Sequence, residues 1–139
     1  MEYKVFKDIV AIRLDKGDEI TESVKAVAEK ENIRAGYVTG IGAVDRLETG
    51  VFDLVGKKYE KYFYEGNKEI NNLTGNLTEM DGKPYLHLHI TCAGKNGEIV
   101  GGHLLSGRIS ITAEIFVQTI DGKIARVHDD ALNFNRIVF

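Results

Sequence analysis

Cysteine and proline occur once each in these 139 residues, and no apolar run approaches the length needed to span a bilayer. A lone Cys92 closes no intrachain disulfide and builds no zinc–thiolate cage, so any metal must be held by histidine and carboxylate. Positive charge is also short: 18 Lys and Arg against 21 Asp and Glu give a net charge of -3, the wrong sign for a surface meant as a whole to attract phosphate backbones. A local basic patch is still allowed. The opening "MEYKVFKDIVAIRL" carries scattered charges and no small-residue cleavage site, which reads as a first strand rather than a signal peptide and points to the cytoplasm, with no membrane partner. No internal repeat, low-complexity tract or linker divides the chain, and Pro84 lies beside a turn.

What is present is the composition of a soluble globular domain, 43% hydrophobic and 28% charged. Residues 1–139 fit one domain, large enough to bury roughly two-thirds of the surface of its unfolded chain. One helix is predicted in "DEITESVKAVAEKEN", where Ile20, Val24, Val27 and Ala28 recur at helical spacing and Asp18 is placed to cap the N-terminus. From residue 35 onward the pattern is that of strands. "TEMDGKPY", "CAGKNGEI" and "QTIDGKIA" each set Asp-Gly or Asn-Gly between alternating runs, which predicts three hairpins. The fold class expected is α+β: an antiparallel sheet built from consecutive hairpins, with one main helix packed on it.

Within "KPYLHLHITCAG", alternation puts His87 and His89 on one strand face, Cα atoms about 7 Å apart, with Leu86, Leu88 and Ile90 on the other. A two-residue Asp81-Gly82 turn sets Asn76 across from His87 and Thr74 across from His89, as polar groups able to orient the rings. A three-residue turn would set leucines there instead; the first register gathers the leucines on one face. The third histidine depends on the next turn. If Lys95, Asn96 and Gly97 form a three-residue loop, Gly94 pairs with Glu98 and His103 falls opposite His89; if Asn96-Gly97 is a tight turn, His103 faces away. Three imidazoles on one face suit zinc best, with nickel, iron or copper also admissible, and leave a coordination position open. The blander alternative is a set of sheet histidines with hydrogen-bonded neighbours.

Other residues carry weaker signals. Glu114, on the face of Ser110 and Thr112 and away from Ile111, Ala113, Ile115 and Val117, is a candidate fourth ligand or general base, against the commoner role of a solvated sheet residue. Tyr62, Phe63 and Tyr64 read as core or subunit interface rather than as a base-stacking platform. Cys92 falls with Leu88 and Ile90 and reads as an inert buried thiol, and His128 in "RVHDD" as a surface residue.

"TGIGAV", "GNLTEMDGKPYLHLHI", "GEIVGGHLLSG" and "TAEIFV", in that order, resemble the prokaryotic stand-alone form of the PPC (plants and prokaryotes conserved) domain. The resemblance implies an α+β homotrimer with one divalent metal per chain, zinc foremost, at His87, His89 and His103. It also brings an association with DNA binding through plant members that carry AT-hooks; this chain has no Arg-Gly-Arg-Pro hook and is acidic. The fold implied is similar to that of acetolactate decarboxylase, whose H-x-H pair and third histidine hold zinc, although no match to that enzyme's other catalytic residues is found. Two function classes follow: a metal-binding assembly or regulatory module, and a metal-dependent lyase or hydrolase acting on a small oxygen-rich molecule.

Overall fold

The computed structural model describes all residues 1–139. The N-terminal run forms two strands rather than one: β1 (Glu2–Val5) and β2 (Ile9–Asp15) fold as a hairpin closed by Phe6 N–H donating to the Ile9 carbonyl at 2.8 Å. Val10, Ile12 and Leu14 alternate into the core as their spacing requires.

Helix α1 (Ile20–Lys30) buries Ile20, Val24, Val27 and Ala28 and packs against β2 and the later strands β5 (Lys83–Gly94) and β6 (Ile99–Thr119). Its N-cap is Glu19, not Asp18. The Glu19 carboxylate accepts from the Glu22 N–H at 2.7 Å and from the Gly107 N–H of β6 at 2.8 Å, so one side chain caps the helix and ties it to the sheet. Asp18 is already committed to the preceding loop, where it accepts from the Asp15 N–H at 2.8 Å and pairs with the N-terminal ammonium at 2.9 Å.

The sheet is predominantly antiparallel. Strand β3 (Gly36–Asp53) pairs with both β4 (Lys58–Met80) and β6, and β5 pairs with β4 and β6, so these four strands close into a ring. Their inward residues, among them Val38, Leu73, Leu77, Leu88, Ile109 and Ile115, form a continuous core with the buried face of α1. Beta-bulges interrupt the alternation: between Ile109 and Ala113 the register against β3 slips, leaving Ile111 65% exposed instead of in the core with Ala113, Ile115 and Val117.

The third expected hairpin does not form. Along its C-terminal residues β6 is flanked on one side by β2 and on the other by β3, so no edge remains for a returning strand. The chain instead passes Asp121-Gly122, bridges Arg34 in parallel at Lys123, and lays β7 (Ala125–Asp129) beside β4, parallel at Glu79 and Ala125. Strand β8 (Phe134–Val138) then pairs antiparallel with β7. No helix is long and apolar enough to cross a membrane.

Candidate metal centre

Two turns set the site. At the β4/β5 turn Asp81 and Gly82 both take positive φ (53° and 74°), the geometry of a two-residue hairpin, and Asn76 pairs with His87 and Thr74 with His89. At the β5/β6 turn the Gly94 N–H donates to the Glu98 carbonyl at 2.9 Å and the Gly97 N–H to the Gly94 carbonyl at 3.0 Å. Gly97, at φ +79°, supplies the left-handed residue of a three-residue loop, and His103 stands opposite His89. Further along, β6 approaches β5 so closely that a Cβ on Gly101 would lie 2.2 Å from the Ile90 carbonyl oxygen. Only glycine fits there.

Leu88, Ile90 and Cys92 are buried on the inner face of β5. The opposite face carries His87, His89 and, across the ladder, His103, whose ring centroids are 5.0 to 5.5 Å apart. Each ring offers one nitrogen, and the three nitrogens lie within 4.8 Å of one another. The Nε2 atoms of His87 and His89 are 3.3 Å apart. A tetrahedral ion with metal–nitrogen bonds of about 2.0–2.1 Å separates its ligand atoms by about 3.3–3.4 Å, so this pair already has the spacing of a tetrahedron edge. Nδ1 of His103 is buried with no hydrogen-bond partner. In the tautomer protonated on Nε2 this atom is a buried lone pair without a donor, which is costly in a folded chain and which a cation satisfies. The three residues therefore fit a divalent ion.

Burial and nearby positive charge set the protonation of His87 and His103. Burial, then the positive potential of Arg126 and of His89, lowers the pKa of His87 below its usual value; burial, reinforced by the other two histidines and Arg126, lowers that of His103 to about 4. Near neutral pH His87 and His103 are thus held in the neutral form that ligates metals. The Tyr59 ring stacks on His103 at 4.6 Å and fixes its plane.

The neighbours differ in part from those the sequence suggested. Asn76 does not bond to His87 directly: its Oδ1 accepts from Arg126 Nη2 at 2.9 Å, and Arg126 Nη2 lies 3.5 Å from His87 Nδ1. With its proton on Nε2, His87 accepts from Arg126 and donates to His89; with its proton on Nδ1, its Nε2 lone pair is free for a metal. Thr74 faces His89 from an exposed position. Glu114 is exposed, paired in register with Arg13 and Ile41, and does not line the histidine cavity. Cys92 is buried, and burial raises its pKa to about 11, as befits an inert thiol.

Sequence reasoning missed Arg126, whereas His128 is exposed, as its surface reading expects. Both line a cavity of about 210 Å³ that opens beside His87 and His103, together with Tyr59, Tyr85, Phe134 and Asn135. The signal available was alternation, which puts Arg126 and His128 on one face of "RVHDD"; nothing in it indicated that β7 crosses to β4. A larger hollow, about 760 Å³, lies between the β1/β2 turn and the end of α1 and contains none of the histidines.

Several known proteins are similar to this chain in structure or sequence, and their descriptions differ. A crystal structure from Bacteroides thetaiotaomicron, described as a "putative dna binding protein", matches at 30% identity and a TM-score of 0.96, covering 99% of this chain and 96% of that one. The Metal-containing Protein from Archaeoglobus fulgidus matches at 32% identity and TM-score 0.89, covering 99% and 97%. Acetolactate decarboxylase from Bacillus subtilis subspecies spizizenii shares the fold alone, at 18% identity, TM-score 0.55 and coverage of 79% and 52%. Bifunctional protein GlmU of Synechococcus sp. (strain JA-3-3Ab) is 30% identical over 128 residues, which are 91% of this chain and 20% of GlmU, so the chain spans one fifth of that relative's length. The sequence model of the Plants and Prokaryotes Conserved (PCC) domain matches residues 1–121, and this chain belongs to that family.

Proposed function

We propose that this PCC domain is a metal-binding protein that holds one divalent ion per chain, zinc by preference, on His87, His89 and His103. The observation that carries the proposal is the 3.3 Å spacing of the His87 and His89 Nε2 atoms with a nitrogen of His103 within 4.8 Å of the ligand atoms of both. The Archaeoglobus relative, named as metal-containing, supports it. Three imidazoles without thiolate favour zinc over softer-ligand ions and admit nickel, iron or copper. The test is a zinc titration against a chromophoric chelator. Wild-type protein should compete for one equivalent, and His103→Ala should lose at least tenfold in affinity; equal competition by the two would refute the ligand set.

The functional unit in this proposal is a cytoplasmic homotrimer. Support comes from apolar side chains left in solvent on the outer faces of β3 and β6, Ile41 at 57% and Phe116 at 47% exposure, with Ile111 on the neighbouring bulge.

A second reading, a metal-dependent lyase or hydrolase on a small oxygen-rich molecule, is favoured by one observation: the cavity of about 210 Å³ beside the histidines is lined by groups suited to hold a ligand. A bound metal would supply Lewis acidity there. DNA binding, named for the Bacteroides relative, is opposed by the net charge of -3. A salt-sensitive shift of duplex DNA in an electrophoretic assay would reinstate it.

A further inference from the structure

The cavity beside the histidines contains a cation with no counter-charge. Arg126 is 8% exposed, and its guanidinium reaches only neutral groups: Thr78 Oγ1 at 2.9 Å, the Asn135 carbonyl at 2.7 Å, Asn76 Oδ1 at 2.9 Å and, at 3.5 Å, His87 Nδ1. The Tyr85 ring covers it at 4.9 Å. A guanidinium has five N–H donors, so one is left without an acceptor when His87 Nδ1 accepts, and two when His87 carries its proton on Nδ1, the form that frees Nε2 for a metal. No carboxylate lines the cavity. Buried cations are ordinarily paired because desolvation without a counter-ion is costly, and here the cost rises further when a divalent ion is loaded next to Arg126. One anion answers both charges.

The walls specify the rest. Tyr59, Tyr85 and Phe134 offer flat apolar surface, which calls for a carbon body rather than a bare inorganic anion, and about 210 Å³ holds roughly seven waters' worth of ligand. Arg126, Phe134 and Asn135 all lie beyond residues 1–121, the part matched to the family. We infer that this cavity binds a small carboxylate with a short carbon body, held by Arg126 and turned toward the three histidines. The inference rests on the metal site proposed above for the second contact and on Arg126 alone for the first.

The test is calorimetric titration with glycolate of three samples: zinc-loaded protein, metal-stripped protein and zinc-loaded Arg126→Gln, with zinc content measured on each. Saturable binding to the loaded protein is expected, weakened at least tenfold by Arg126→Gln at unchanged zinc content, weakened but retained on metal removal, and absent with the neutral isostere glycolamide. Arg126→Lys, which keeps the charge, is expected to retain more binding than Arg126→Gln. Glycolamide binding as tightly as glycolate, or no glycolate binding by fully loaded protein, would overturn the inference while leaving the metal site standing, and both need only wild-type protein. Tighter binding of inorganic phosphate than of glycolate would overturn the carboxylate assignment. If no zinc loads, the metal site fails, and the metal-stripped titration decides the Arg126 contact by itself: glycolate binding supports it and its absence overturns it.

Discussion

Arg126 Nη2 donates to Asn76 Oδ1 at 2.9 Å across fifty residues of chain, and through this bond the crossover strand β7 reaches the residue that faces His87. Asn76→Ala removes the acceptor and leaves a buried guanidinium N–H unpaired. The expected loss is about 2 kcal/mol of unfolding free energy, read from urea melts, because hydrogen bonds to charged groups are worth more than neutral ones. Zinc stoichiometry should not change, since Asn76 holds the arginine and not the imidazole.

That bond also shows where sequence reasoning stops. The register of β4 against β5 was legible because Asp81-Gly82 is a short-range turn signal and one of its two readings gathers the leucines on one face, whereas Lys95, Asn96 and Gly97 admitted two turns and the residues alone left the position of His103 open. The helix was legible from Ile20, Val24, Val27 and Ala28, although its cap was not, since Asp18 and Glu19 are both acidic and what distinguishes them is tertiary: Glu19 reaches Gly107 while Asp18 is held by the Asp15 N–H and the N-terminus. The position of β7 was not legible. Asp121-Gly122 has the composition of a hairpin turn, and what prevents the hairpin is that β2 and β3 already occupy both edges of β6, a fact of tertiary pairing with no local signature. Arg126 therefore stayed hidden while the three histidines did not.

A pH dependence follows for the metal-free protein. In the unfolded chain an imidazole titrates at its ordinary value, 6.5, whereas folded His103 resists protonation down to about 4 and His87 is shifted in the same direction. Between these values the unfolded state binds more protons, so stability is fully present above about 6.5 and falls as pH drops toward 4. Asp15, Asp18 and Asp45 are shifted down from 3.8 by their hydrogen bonds and ion pairs, and lose their contributions only below that. Urea midpoints should thus fall between pH 7 and pH 4.5, with a shallower slope in His103→Leu; an unchanged slope in that variant would contradict the assignment.

The β5/β6 loop needs its left-handed glycine. Gly97 has φ +79°, and a β-branched side chain there meets its own carbonyl. Gly97→Val should cost about 1–2 kcal/mol in chemical denaturation. Deleting Lys95 is the sharper variant: a two-residue turn shifts β6 by one position and turns His103 away from His89, so zinc binding should disappear even if the chain folds.

If three copies assemble through the outer faces of β3 and β6, the double variant Ile41→Glu, Phe116→Glu places like charges in the interface and should sediment as a monomer while keeping its circular dichroism spectrum. Wild-type protein should sediment as a trimer at the same concentration. Identical sedimentation of the two would remove this face from the assembly.

The central claim is that His87, His89 and His103 hold an ion. Elemental analysis of protein purified without added metal, set beside the His87→Ala, His89→Ala double variant, tests it most directly. One divalent ion per chain in the wild type and none in the double variant is the predicted result. Equal metal content in the two proteins would contradict it.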